Sequence, residues 1–142
     1  MQPYAIDFSS EPEIDLVGDV KAGFPSPAED VKEKLDLLKL LVRHPASTFY
    51  FRISGVSMVD ASLDEGDIVV VDRSLTLTNN CVAVCFIDGE FTVKRVHVEK
   101  GADAQGDKVQ LLPANPKYKP LDITPDNEFI VWGIVTYVIK KV

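Results

Sequence analysis

The chain has 142 residues, enough for one sizeable core, and its 46% hydrophobic and 26% charged residues are those of an ordinary globular protein. A net charge of −7 excludes non-specific nucleic-acid binding, which needs a basic surface. No stretch approaches the roughly 18 apolar residues of a membrane span, and the N-terminus lacks a basic segment followed by an apolar run, so a cytoplasmic protein is expected.

Residues 1–22 hold Asp7, Glu11, Glu13, Asp15 and Asp19 against Lys21, which is −4 of the total −7. With Pro3, Pro12 and no sustained period, they predict an extended, mobile arm ahead of a folded domain at 23–142. At Ala22-Gly23 two small residues stand between bulkier ones, so another group could approach the backbone closely, although a plain linker reads the same way. Ser26-Pro27-Ala28-Glu29 is a helix start, with Ser26 as cap, Pro27 at the first helical position and Glu29 closing a capping box. Val31, Leu35, Leu38 and Leu41 or Val42 then recur at helical spacing as far as His44-Pro45. Asp36 could cap a second short helix, so the pattern allows one helix or two.

From Ser47 the pattern becomes β. Phe49, Phe51 and Ile53 share one face, Tyr50 and Arg52 the other. Asp64-Glu65-Gly66-Asp67 turns into the apolar run Ile68 to Val71. Asn79-Asn80 introduces a strand from Cys81 to Ile87, and Asp88-Gly89 is a two-residue hairpin signal leading into Phe91 to Val98. A polar loop from Glu99 to Asp107, a short strand from Val109 to Leu112, turns at Ala114-Asn115-Pro116 and Thr124 to Asn127, and a long closing strand from Phe129 to Ile139 complete the chain. Five or six strands so spaced predict a mostly β fold: a curled, partly closed antiparallel domain with a short N-terminal helix. Cys81 and Cys85 face one side of their strand, as reduced, buried small hydrophobes. Neither His44 nor His97 joins them at ligand spacing, so no metal and no cofactor is expected.

Two residues point to chemistry. Ser57 follows an alternating strand and Gly55, where the backbone turns tightly. Lys94 lies on a strand face with Thr92, Val96 and Val98, where desolvation would disfavour its charge; Arg95 and His97 fall on the other face. A serine hydroxyl becomes a nucleophile when a base takes its proton, and a neutral lysine amine can be that base. Spacing alone defines no geometry between two residues so far apart, and a serine after glycine is also ordinary turn chemistry.

Ala22-Gly23-Phe24-Pro25-Ser26-Pro27-Ala28, Ser54-Gly55-Val56-Ser57-Met58, Gly66-Asp67-Ile68-Val69-Val70-Val71-Asp72 and Asp88-Gly89-Glu90-Phe91-Thr92-Val93-Lys94-Arg95 occur in this order. Together they resemble the UmuD-type polymerase accessory proteins, a branch of the LexA-like serine/lysine peptidase family, over nearly the whole chain from about Gly23. The resemblance implies a LexA-like C-terminal domain fold, Ser57 as nucleophile, Lys94 as general base, and backbone N–H groups of Val56 and Ser57 as the oxyanion hole. It implies self-cleavage between Ala22 and Gly23, releasing the arm. It also implies homodimers, cleavage stimulated by a RecA filament on single-stranded DNA in the SOS response, and service to an error-prone Y-family DNA polymerase. Val56 stands where family members carry aspartate, and Ala22 where UmuD-type sites carry cysteine; the first leaves the backbone N–H intact and the second matches LexA-type Ala-Gly sites. A non-cleaving polymerase-binding module with a relic dyad is the alternative. A repressor is disfavoured because a 22-residue acidic arm cannot read a DNA groove, and a signal-peptidase-like enzyme because it would need a membrane anchor.

Overall fold

A computed structural model of the chain describes residues 14–24, 33–55, 62–101, 108–112 and 119–142. The chain forms two compact units, Met1–Pro45 and Ala46–Val142.

In the first unit, strand β1 (Ile14–Leu16) pairs antiparallel with β2 (Glu33–Leu35), matching Ile14 to Leu35 and Asp15 to Lys34, whose side chains form an ion pair. Helix α1 covers only Leu37–Leu41. Within residues 1–22, Ile14–Leu16 is extended as expected and forms β1. One expectation is corrected here: residues 33–35 are strand although Leu35 fits the helical period. Asp36 explains the break. Its backbone is extended (φ −93°, ψ 101°) and its carboxylate accepts the Lys39 N–H at 3.1 Å, so it ends β2 and caps α1. The capping box at Ser26–Glu29 lies outside the described residues.

The second unit is an antiparallel sheet in the order β3 (Thr48–Arg52), β4 (Ile68–Asp72), β9 (Phe129–Ile139), β5 (Cys81–Ile87), β6 (Glu90–Glu99), β7 (Lys108–Leu112), β8 (Leu121–Asp122). The β5–β6 hairpin turns at Asp88-Gly89, both at positive φ (46° and 88°) as a two-residue hairpin turn requires. The two-residue strand β8 escaped the sequence pattern because it is too short to show an alternation. Strand alternation holds elsewhere. Val84 faces one core cluster with Ile53, Leu63, Val69 and Val71, while Ala83 and Cys85 face another with Val96, Leu111 and Ile134.

Strand β9 shapes the sheet. Its first half pairs with β5 and its second with β4, and each ladder slips by one residue, leaving Trp132 and Thr136 without a register partner. Such bulges bend a strand and increase its twist. The sheet therefore curls. Phe51 of β3 and Phe91 of β6 bring their ring centroids to 5.9 Å although three strands separate them in the sheet. Trp132 joins both rings at 5.0 and 6.1 Å, and Arg73 lies over its indole at 4.3 Å while its Nε donates to the Trp132 carbonyl. Among the described residues the sheet stays open, with β3 and β8 at its edges.

Gly133 sits at this bend because nothing larger fits: a Cβ there would come within 2.5 Å of Val71 Cγ1. Gly133→Ala is expected to destabilise the domain by about 1–3 kcal/mol, as overpacking does, read as a lowered urea midpoint at unchanged slope. Both cysteines are free, and burial first, then the neighbouring Cys81, pushes the Cys85 thiol up to about 12. At pH 8 Cys85 is expected to react with a maleimide only after unfolding, seen as one added label by mass.

Candidate active site

Strand β3 ends at Arg52, and Ile53 extends the pairing by a backbone exchange with the start of β4. Ile53 N–H donates to the Asp67 carbonyl and Gly66 N–H to the Ile53 carbonyl, both at 2.8 Å. This closes a neck, from which the chain leaves through Ser54 and Gly55 and to which it returns through Leu63 and Asp64. Gly55 has φ +90°, a backbone conformation costly for any residue with a Cβ. Leu63, 1% exposed, fixes the return leg in the core with Ile53 and Val84.

Two anionic side chains complete the neck. The nearly buried Asp67 carboxylate accepts the Asp64 N–H at 2.9 Å and a bond from Lys140 Nζ, which also reaches Asp64 at 2.6 Å. Lys140 follows Ile139, the β9 residue paired with Ile68, so the bridge crosses from the end of β9 to the start of β4. The Lys140 bond and the Asp64 amide hold Asp67 below the usual carboxylate range, and the Asp64 and Asp67 carboxylates push Lys140 up. Sequence reading missed this cluster. Gly66-Asp67 was visible as a turn, but nothing marked Lys140 as its partner.

Between the neck and β6 the curled sheet leaves a cleft of about 260 Å³, open to solvent and lined by Phe51, Ile53, Ser54 and Leu63 on one side and Phe91 and Lys94 on the other. Lys94 is half-buried, opposite Ala83 of β5, and no carboxylate among the described residues pairs with it. Val56 and Ser57 lie outside the described residues. In the first unit Ala22 and Gly23 are exposed, as are Val20 and Phe24 on either side of them.

A lysine on the lining of a solvent-open cleft could serve as the base of an acyl transfer, and comparison with known proteins points to a peptidase. The Peptidase S24-like family profile matches residues 15–136. The chain belongs to that family. It is similar to protein MucA of Salmonella typhimurium, with 42% identity over 120 residues, 83% of this chain and 77% of MucA. Protein ImpA of Escherichia coli is 37% identical over 128 residues, 85% and 79% of the two chains. The LexA repressor of Stenotrophomonas maltophilia (strain R551-3) is 31% identical over 121 residues, 85% of this chain and 54% of the repressor. Within the Peptidase S24-like family of serine peptidases this is a UmuD-type chain. The open, curled antiparallel sheet is the LexA-like fold expected from the sequence. Among the described residues no three His, Cys, Asp or Glu side chains cluster as metal ligands, and no helix is long and apolar enough to cross a membrane.

The neck gives a signed pH dependence. Asp67 has its pKa depressed in the folded state, so its contribution is complete above the unfolded value near 3.8 and is lost as pH falls through the folded value. Lys140 is raised, so its contribution is complete below 10.5 and is lost as pH rises through its folded value. The stability difference between wild type and Lys140→Met is therefore expected to be flat across neutral pH. It should narrow only below about 3.8 and above about 10.5, as followed by urea denaturation at stepped pH.

Proposed function

We propose that the chain is a self-cleaving serine peptidase that cuts its own Ala22–Gly23 bond. Ser57 attacks the Ala22 carbonyl, neutral Lys94 takes the hydroxyl proton, and the N–H groups of Val56 and Ser57 hold the tetrahedral oxyanion. Collapse breaks the C–N bond, the proton passes from Lys94 to the Gly23 amine, and water then releases residues 1–22 from the acyl-enzyme by the same base. The observation that supports this most is the cleft itself, whose lining includes both Lys94 and Ser54, the residue from which the chain runs on to Ser57. The apolar side chains on its wall, Phe51, Ile53, Leu63 and Phe91, suit a substrate whose scissile bond is flanked by Val20 and Phe24.

The processed form, residues 23–142, then acts in the cytoplasm as a homodimeric accessory subunit of an error-prone Y-family polymerase in the SOS response. A RecA filament on single-stranded DNA stimulates the cut. Similarity to MucA and ImpA over more than four-fifths of this chain supports the UmuD-type role. The chain has no direct sequence-specific DNA contact in this scheme, its net charge being −7.

Purified Ser57→Ala and Lys94→Ala are each expected to stay folded and to yield no 1–22 and 23–142 fragments by mass. Normal cleavage by either variant would overturn the dyad and favour a non-cleaving binding module. Without the filament the wild-type rate should climb nearly tenfold per pH unit until Lys94 is mostly neutral, as a single deprotonation requires. A flat profile from pH 7 to 10 in folded protein would contradict lysine as the base, and a plateau above about pH 7 would indicate histidine, with His97 the residue to substitute.

A further inference from the structure

We propose that Lys140 is a positioning residue for self-cleavage, which by bridging Asp64 and Asp67 fixes the return leg of the segment bearing the nucleophile. The inference rests on the reading of Ser57 as that nucleophile, and it adds a residue 83 positions away, on the last turn of chain after β9.

The argument starts from how the Ser57 segment is held. Its outgoing end is part of β3 and is fixed by the Ile53 exchange with Asp67 and Gly66. Its returning end, from Ser62 to Asp67, forms no continuous strand: it has one bridge residue, Leu63, and the exchange of Gly66 and Asp67 with Ile53. That end is held by Leu63 in the core, by the Asp67 N–H bond to the Asp64 carbonyl at 3.1 Å, and by the Asp67 carboxylate. The carboxylate is 7% exposed, so its charge needs a partner inside the protein. Lys140 is the only cation that an ion pair brings to it among the described residues. Because the same ammonium also grips Asp64, the bridge spans the turn and does more than neutralise one buried acid.

A surface pair of this exposure contributes little to global stability: the side chains of Lys140 and Asp64 are 39% and 65% exposed. Its geometry matters more than its energy. Leu63 lines the same cleft as Lys94, so a shift of the turn moves one wall of the cleft as well as the segment leading back from Ser57. Nucleophile placement is sensitive on this scale, since a misplacement of about 1 Å can cost about a hundredfold in rate. Removing Lys140 should therefore slow the reaction in a protein that is still folded.

The test compares self-cleavage of full-length wild type, Lys140→Ala, Lys140→Arg, Asp64→Asn and, as a neighbouring control, Lys141→Ala, at a pH where wild type cleaves measurably and each protein is folded by circular dichroism. Lys140→Ala is expected to cleave about tenfold or more slowly, Asp64→Asn to be intermediate, Lys140→Arg to recover most of the rate, and Lys141→Ala to match wild type. The Asp64 amide, which donates to Asp67, should exchange its hydrogen faster in Lys140→Ala while amides of β5 and β6 keep their protection. Equal rates for wild type and Lys140→Ala, or a loss that Arg does not restore, would overturn the proposal. If Lys140→Ala does not fold, an unchanged rate in Asp64→Asn would overturn it instead. Absence of cleavage in wild type would count against the proposed function, and an unaltered Asp64 exchange rate would then still refute the anchor.

Discussion

Ile134 pairs with Asp72 on one side and with Ala83 on the other, and it is the one residue of β9 that has both neighbours in register. Towards the C-terminus β9 belongs to β4, towards the N-terminus to β5, so the two halves of the sheet meet at a single crossing. The bulges at Trp132 and Thr136 flank that crossing and give it its bend, and Gly133 leaves the room that the close approach of Val71 requires. In a flat sheet β3 and β6 would stand four strand spacings apart, about 19 Å. The ring contact of Phe51 with Phe91 at 5.9 Å measures how far the curl has closed that gap. The cleft is a consequence of this curvature, because its two walls come from strands that share no hydrogen bond.

The same curvature explains what could be read from the sequence and what could not. Local signals were legible where a physical rule acts within a few residues: the Phe49/Phe51/Ile53 alternation, the Asp88-Gly89 turn, and the bounds of the Phe129–Ile139 strand all stand in the structure. Of the two helical readings left open, a short helix capped by Asp36 stands at Leu37–Leu41, whereas residues 33–35 are strand because the leucine period carries no information about their pairing with Ile14–Leu16. Strand order, the crossing at Ile134 and the Lys140 bridge were illegible for a related reason. They depend on pairing between residues more than 40 positions apart, which no local pattern encodes. Of the site residues, Lys94 was visible as a cation among apolar strand positions; that it meets the end of β3 required the curl.

The neck at Ile53 and Asp67 links sheet architecture to chemistry. A segment that leaves and re-enters a sheet through adjacent residues can vary in its interior while its ends remain fixed, and the glycine at +90° sets the direction in which it departs. Lys94 comes from the middle of a strand whose position is set by β5 and β7 on either side. In the proposed dyad one reacting group would come from the segment beyond this neck and the other from a rigid strand, so positioning, rather than any unusual side chain, would carry the catalysis. Such chemistry would leave no mark on composition, since it asks for a single serine and a single lysine.

The location of the Ala22–Gly23 bond adds a thermodynamic consequence. It lies in the connection between β1 and β2, whose three-residue strands pair through Ile14–Leu16 and Glu33–Leu35 and are largely exposed. Such a two-stranded pairing is marginal by itself, and the exposed Lys34–Asp15 ion pair adds about 0–1 kcal/mol at most. What keeps β1 on β2 is the connecting chain, which holds the two at high effective concentration. Cutting that connection removes the tether without touching a single pairing contact, and the released arm then has only micromolar or lower concentration in place of the intramolecular one. On the proposed cut the β1 side would depart, the β2 strand would lose its partner in that two-stranded sheet, and residues from Glu33 to Leu35 would become free to pair elsewhere. The proposed cleavage would therefore change the surface of the first unit without breaking any ladder of the seven-stranded sheet.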